Sequence, residues 1–198
     1  MRPGSSSRSS SALTLVLASR SPQRTAILGE LGVAFAARPA DVVEEDAGAP
    51  LAVAGENALR KAIAAGAGPG ETTLGVDTLV ALDLEIHGKP PAAEAARSTL
   101  ERLSGRTHEV VSGVAVLSED GSVRAAQCVT KVTFRTLDAA TLDWYVASGE
   151  WEGRAGGYAI QGRGGALVER IEGDYLNVVG LPVATLLGLI PGLLTAQI

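Results

Sequence analysis

The sequence predicts an α/β fold organised as one unit over residues 12–198, and three observations carry that prediction. An apolar run from Leu13 to Ala18 reads as a buried strand, and it passes through a polar turn, Ser19-Arg20-Ser21, straight into a helix. Stretches patterned as helices and strands then follow one another to the end of the chain. No linker or internal repeat divides them, and 198 residues are enough for one full core or for two small lobes sharing a cleft.

The first helix has clear signals. Ser21 is a good N-cap, Pro22 suits the first helical position, Ile27, Leu28 and Leu31 form an apolar face, and Gly32 closes the end. Its free N–H groups, with two serine hydroxyls and two arginines nearby, make the helix start an attractive place for an anion. Residues 33–43 read as extended, and Asp41 to Asp46 as an acidic, mostly solvated loop. A second helix spans Leu51 to Ala65, with Glu56, Asn57, Arg60 and Lys61 grouped on it.

The run Thr72 to Leu82, TTLGVDTLVAL, is an apolar strand interrupted by Asp77 and Thr78. A carboxylate in buried β structure is costly unless a cation, a donor or a cleft meets it, so Asp77 is the strongest single candidate for chemistry. Gly88-Lys89-Pro90 follows a turn and holds Lys89 on a stiff corner before a helix over Ala92 to Leu103. Thr107 to Leu117 and Val123 to Arg135 form a hairpin about Asp120-Gly121. On the returning strand Cys128, Thr130, Val132 and Phe134 face the core. Asp138 caps a helix reaching about Ser148. Seven glycines between Gly149 and Gly165 fit a backbone bent around a ligand, with Gln161 able to read a base edge and Arg154 and Arg163 adding charge. Strands are expected at Ala166 to Ile171 and Tyr175 to Val179, then a last helix from Pro182 through Leu194.

Composition excludes several classes. A net charge of −5 argues against wholesale adhesion to nucleic acid polymers or anionic membranes, so any polyanion handled is small and met by a local basic cluster. No run approaches the roughly 20 apolar residues of a membrane span. Cys128 is the only cysteine, which excludes an intramolecular disulfide and a cysteine-based zinc site and fits a cytoplasmic setting. Met1 to Ser11 reads as a disordered extension. A secretory reading of the first residues would cut the strand–loop–helix unit in two. His87 and His108 lack metal-ligand spacing, and neither a G-x-x-x-x-G-K-[ST] phosphate loop nor a G-x-S-x-G nucleophile elbow is present. What remains is a set of opposite charges on loops and strand ends, Arg24, Lys61, Lys89 and Arg154 against Asp77 and Glu44. Such a set suggests phosphate chemistry with a divalent metal.

Six motifs in one order sharpen this reading: LVLASRSPQR with a following Ile27-Leu28, GVDTLV, GKP, LSGRTHEV, AGGYAIQG and NVVGLP. Together they resemble the Maf family of nucleoside triphosphate pyrophosphatases across nearly all of Leu15 to Leu194. The resemblance implies two lobes around a mixed, elongated sheet with a central cleft, related to the inosine triphosphate pyrophosphatases and usually dimeric. It implies hydrolysis of a nucleoside triphosphate to the monophosphate and pyrophosphate with Mg²⁺ or Mn²⁺, a housecleaning activity on normal or modified nucleotides. By position, Asp77 matches the general base, and Ser19, Ser21 and Arg24 match first-loop phosphate contacts. Lys61 and Lys89 match the triphosphate cations, and Thr78 and Gln161 match positions of base choice. Glu44 sits near the acidic position after the first helix, with Glu45 beside it as the alternative, and the metal would be held by Glu44 or Asp77, Asp77 acting either as base or as a metal ligand that aims the water. Two departures stand out: Gln23 replaces the arginine of the branch that prefers dTTP and UTP, and Arg154 replaces a lysine. Two other functions fit less of the pattern. They are a non-catalytic regulator of septum formation, which would release no pyrophosphate, and a sugar nucleotidyltransferase, which would release it only with a sugar phosphate present.

Overall fold

The computed structural model describes residues 14–195; the expected disordered extension, Met1 to Ser11, lies outside them. In order, the elements are β1 Thr14–Leu17, α1 Pro22–Glu30, β2 Phe35–Ala37, α2 Pro50–Ala65, β3 Glu71–Leu82, β4 Glu85–His87 and α3 Ala93–Leu103. They continue with β5 Thr107–Ser118, β6 Val123–Phe134, α4 Ala139–Val146, β7 Val168–Glu172, α5 Tyr175–Val179 and α6 Val183–Leu189. The strands form one mixed sheet in the order β2-β1-β3-β5-β6-β7, with β4 also on β3. β1 runs parallel to β2 and β3, and all other pairings are antiparallel. The α/β expectation holds.

One detail of this sheet creates the site. β1 pairs with β3 only from Glu71 to Leu74, and β4 takes up the same edge only from Val80 to Leu82. Gly75 to Leu79 therefore pair with β5 on one side and have an open edge on the other. Because side chains alternate along a strand, Asp77 and Thr78 point to opposite faces, and both open into the gap between β1 and β4.

The even-numbered face of β3 carries two cores. Leu74 and Val76 join Leu15, Leu17, Val114 and Val116 beneath Ile27 and Leu28 of α1 and Leu186 of α6. Val80 and Leu82 join Val110, Val132 and Phe134 beneath Leu100 and Leu103 of α3, Tyr145 of α4 and Tyr158. Val179 packs against both, and Thr78 and Ser112, which are register partners, fall between them. These are the two lobes that the resemblance implies. On the opposite face α2 lies so close that an added Cβ at Gly75 would stand 2.1 Å from the Ala58 carbonyl oxygen, and at Gly113 2.2 Å from that of Ala54. Thr130, Val132 and Phe134 are buried and Cys128 half-buried, while Gln127, Lys131 and Arg135 face outward, as the alternation predicts.

Three local expectations are corrected. Tyr175–Val179 is a helix, because Asp174 Oδ1 accepts the N–H groups of Leu176 at 2.8 Å and Asn177 at 3.3 Å, and this cap overrides the β-prone Tyr-Leu-Asn-Val-Val. Only Phe35–Ala37 of residues 33–43 is strand, since β1, its partner, is four residues long. The last helix stops at Leu189 before the turns around Gly192.

Candidate active site

The gap in the β3 edge is the floor of a cleft of about 720 Å³, a size suited to a nucleotide. The ten residues given site roles by the resemblance line it, Ser19, Ser21, Gln23, Arg24, Glu44, Lys61, Asp77, Thr78, Lys89 and Gln161, whereas Arg163 does not. Their side chains fall into three groups according to what holds them.

Asp77, only 4% exposed, is gripped from α2. Lys61 Nζ lies 2.7 Å from its Oδ1, and Asn57 Nδ2 donates to its Oδ2 at 3.0 Å. Each carboxylate oxygen retains a free lone pair, so Asp77 can still accept a hydrogen bond from a water or donate an electron pair to a cation. Lys61 and Asn57 are four residues apart, one helical turn, which puts both on the stripe of α2 that faces β3. Lys61 Nζ also lies 2.7 Å from Glu44 Oε1. Glu44 reaches it because Asn57 pins the acidic loop: its Oδ1 accepts the Glu45 N–H at 2.8 Å, and its Nδ2 donates to the Glu45 carbonyl at 2.9 Å. Of the two adjacent acids, Glu44 turns into the cleft, whereas Glu45 pairs outward with Arg60 at 2.8 Å.

Arg24, 8% exposed, occupies the other face. Its Nε donates to the Gly180 carbonyl at 2.9 Å, Nη1 to Ser19 Oγ at 2.9 Å and Nη2 to Thr78 Oγ1 at 3.2 Å. All three acceptors are neutral. Burial pulls the guanidinium below its usual range, and the charges of Asp77 and Glu44 partly offset this. Thr78 Oγ1 is shared with Ser112 Oγ at 2.9 Å, its register partner on β5. At the helix start Ser19 Oγ accepts the Ser21 N–H at 3.1 Å, and Ser21 Oγ donates to Gln23 Oε1 at 3.1 Å, which leaves the Gln23 amide N–H groups pointing elsewhere.

Lys89 and Gln161 form the third group. Both are exposed, and among the described residues neither is tied down by an ion pair or side-chain hydrogen bond. Sequence reasoning passed over Ser112 and Gly180 and gave Asn57 no role of its own. Ser112 carried a signal of the same kind as Asp77, a polar residue inside the apolar Val-Val-Ser-Gly-Val-Ala-Val.

A family model described as Maf-like protein matches residues 14–193. The chain belongs to the Maf-like protein family. Among its curated relatives, a dTTP/UTP pyrophosphatase of Pyrococcus furiosus is 43% identical over 89% of this Maf-like chain and 93% of its own. One from Anaeromyxobacter dehalogenans (strain 2CP-C) is 48% identical over 86% and 89%. Among solved structures, a HAM1 protein from Coxiella burnetii shares 21% identity over 62% of the Maf-like chain and 73% of its own, at a TM-score of 0.45. No helix of the described residues is long and apolar enough to cross a membrane.

Proposed function

We propose that this Maf-like chain hydrolyses nucleoside triphosphates, dTTP and UTP foremost, to the monophosphate and pyrophosphate in the cleft around Asp77. The observation that carries the reading is a buried carboxylate held by an ammonium and an amide at the open edge of β3, with the Arg24 guanidinium bonded to the neighbouring Thr78 on the opposite face. The names of the relatives support the substrate class.

The residues also suit a divalent cation that the substrate helps to bind. Among the described residues no group of three or more His, Cys, Asp or Glu could cage a metal, yet Glu44 and Asp77 converge on one ammonium. Mg²⁺ is commonly held by one or two carboxylates plus substrate phosphates, which is the donor set on offer. Glu44 and Asp77 would hold Mg²⁺ or Mn²⁺, and the cation would neutralise charge on the phosphoryl oxygens.

The rest is the work of the chain. The α1 N-terminus at Ser19 and Ser21, with Arg24, receives phosphate oxygens, and Lys61 and Lys89 add charge across the cleft. Asp77 accepts a hydrogen bond from the attacking water and aims it. The water oxygen bonds to phosphorus, the α–β bridging P–O bond breaks with its electron pair on pyrophosphate, and the water proton leaves through Asp77. Thr78, Gln161 and Gln23 face the base. We further propose a homodimer working in the cytoplasm, on the family resemblance and the nucleotide substrate.

Pyrophosphate release from dTTP, UTP, CTP and modified GTP with Mg²⁺ or Mn²⁺ tests the reading. Asp77→Asn should lower kcat about 10²- to 10⁴-fold with the fold intact. Wild-type turnover in that variant, or no release from any triphosphate by the wild type, refutes it.

A further inference from the structure

Five cations line the cleft, and three of them are already engaged within the protein. Arg20 pairs with Asp41 at 2.7 Å, Arg24 donates to three neutral oxygens, and Lys61 sits between Asp77 and Glu44. Lys89 and Arg154 remain. Among the described residues neither has an ion pair, and the Nε of the half-buried Arg154 is buried with no hydrogen-bond partner. A guanidinium partly withdrawn from water without an acceptor is poised for an anion that arrives from outside.

The backbone around Arg154 is stiff. Its N–H donates to the Trp151 carbonyl at 3.2 Å, and its carbonyl accepts the Gly157 N–H at 3.0 Å. The Gly156 N–H donates to the Gly88 carbonyl at 3.1 Å, which joins this segment to the corner that carries Lys89. Gly156, at φ +67°, leaves no room for a side chain: an added Cβ would lie 2.8 Å from Val80 Cγ2. An added Cβ at Gly157 would lie 3.3 Å from Pro90 Cγ. The glycines thus bring two backbone segments together and set a guanidinium and an ammonium on one lip of the cleft.

We propose that Arg154 and Lys89 form a two-cation clamp for the pyrophosphate end of the substrate, with Arg154 a binding residue in its own right. The proposal rests on the triphosphate hydrolase reading for its ligand. A planar guanidinium grips two phosphate oxygens at once, and the ammonium supplies a point charge beside it. The clamp would hold the leaving group as charge gathers on it, and it would make pyrophosphate a product inhibitor.

Calorimetric titration of the full chain with inorganic pyrophosphate in Mg²⁺, beside titration with dTMP, reads the clamp without turnover. Arg154→Ala should weaken pyrophosphate binding about tenfold or more and raise KM for dTTP in parallel, with dTMP affinity within about twofold of wild type. Arg154→Lys should recover only part of the affinity lost in Arg154→Ala, because it restores the charge without the two-pronged guanidinium. Unchanged pyrophosphate affinity in Arg154→Ala, an equal loss for pyrophosphate and dTMP, or a wild type that does not bind pyrophosphate would overturn the clamp. A wild type that binds pyrophosphate through Arg154 yet releases none from any triphosphate would leave the clamp standing and remove the hydrolase reading.

Discussion

Lys61 holds two carboxylates at 2.7 Å each, and its own side chain is 9% exposed, so its removal leaves Asp77 facing Glu44 with no charge between them. Breaking a buried pair by removing one partner is far more costly than never building it. Lys61→Met should therefore lower unfolding free energy by about 3 kcal/mol in urea titrations. Adding Asp77→Asn should recover part of that loss, a non-additivity that a double-mutant cycle measures. His108 is a second residue whose burial has a measurable result. It is 1% exposed, bonds Tyr158 Oη through Nε2 at 2.9 Å, and lies edge-on to Phe134. Burial pulls its imidazole from 6.5 down to about 4, with the charge of His87 adding slightly. The fold thus favours the neutral ring. As pH falls below 6.5 the unfolded chain takes up the proton first, and stability declines until about pH 4, where the folded ring is protonated too. The loss over this window should be about 3 kcal/mol, and His108→Gln should flatten the slope of urea midpoint against pH.

At the scale of elements, the contact between α2 and the sheet decides where Lys61 and Asn57 stand. Gly75 and Gly113 face α2 from neighbouring strands, and the backbone of the helix rests where their side chains would be. Gly113→Ala should push α2 outward, with a stability loss of about 1–3 kcal/mol in chemical denaturation. Since Asp77 depends on donors from that helix, the same variant should lose turnover although it touches no substrate. A normal kcat in a measurably destabilised Gly113→Ala would show that the site tolerates a displaced α2. The N-terminus of α1 is placed by different means. β1 ends at Leu17, just where β3 loses its parallel partner, so the helix begins at the mouth of the gap.

The whole molecule carries a net charge of −5, and its cleft sets five cations among five carboxylates, with exposed Lys89 free of any ion pair among the described residues. Unpaired cations confined to one cleft of a negatively charged molecule suit a small polyanion and oppose a long one. The KM for dTTP should rise several-fold between about 50 and 500 mM NaCl as exposed Lys89 is screened, while kcat changes little. An excess of duplex DNA should leave hydrolysis unaffected. Strong inhibition by DNA would mean that the basic residues form a continuous outer surface instead of a recessed one.

Much of this protein follows from the sequence alone, because caps, turns and periodicity act over a few residues. Ser21, Pro22 and Gly32 delimit α1, the alternation of β6 separates Thr130, Val132 and Phe134 from Gln127 and Lys131, and Asp77 stands out because a carboxylate inside a buried strand needs partners. The tertiary structure alone decided who those partners are. Arg24 meets Gly180 across 156 positions of chain, Glu44 rather than Glu45 turns inward because Asn57 grips the loop, and Tyr175 to Val179 coils although its residues favour a strand. The gap between β1 and β4 has no local signature, since it depends on where two strands from different parts of the chain stop along a third. Local free energies choose the elements, and only their packing determines which edge stays open and which charges face it.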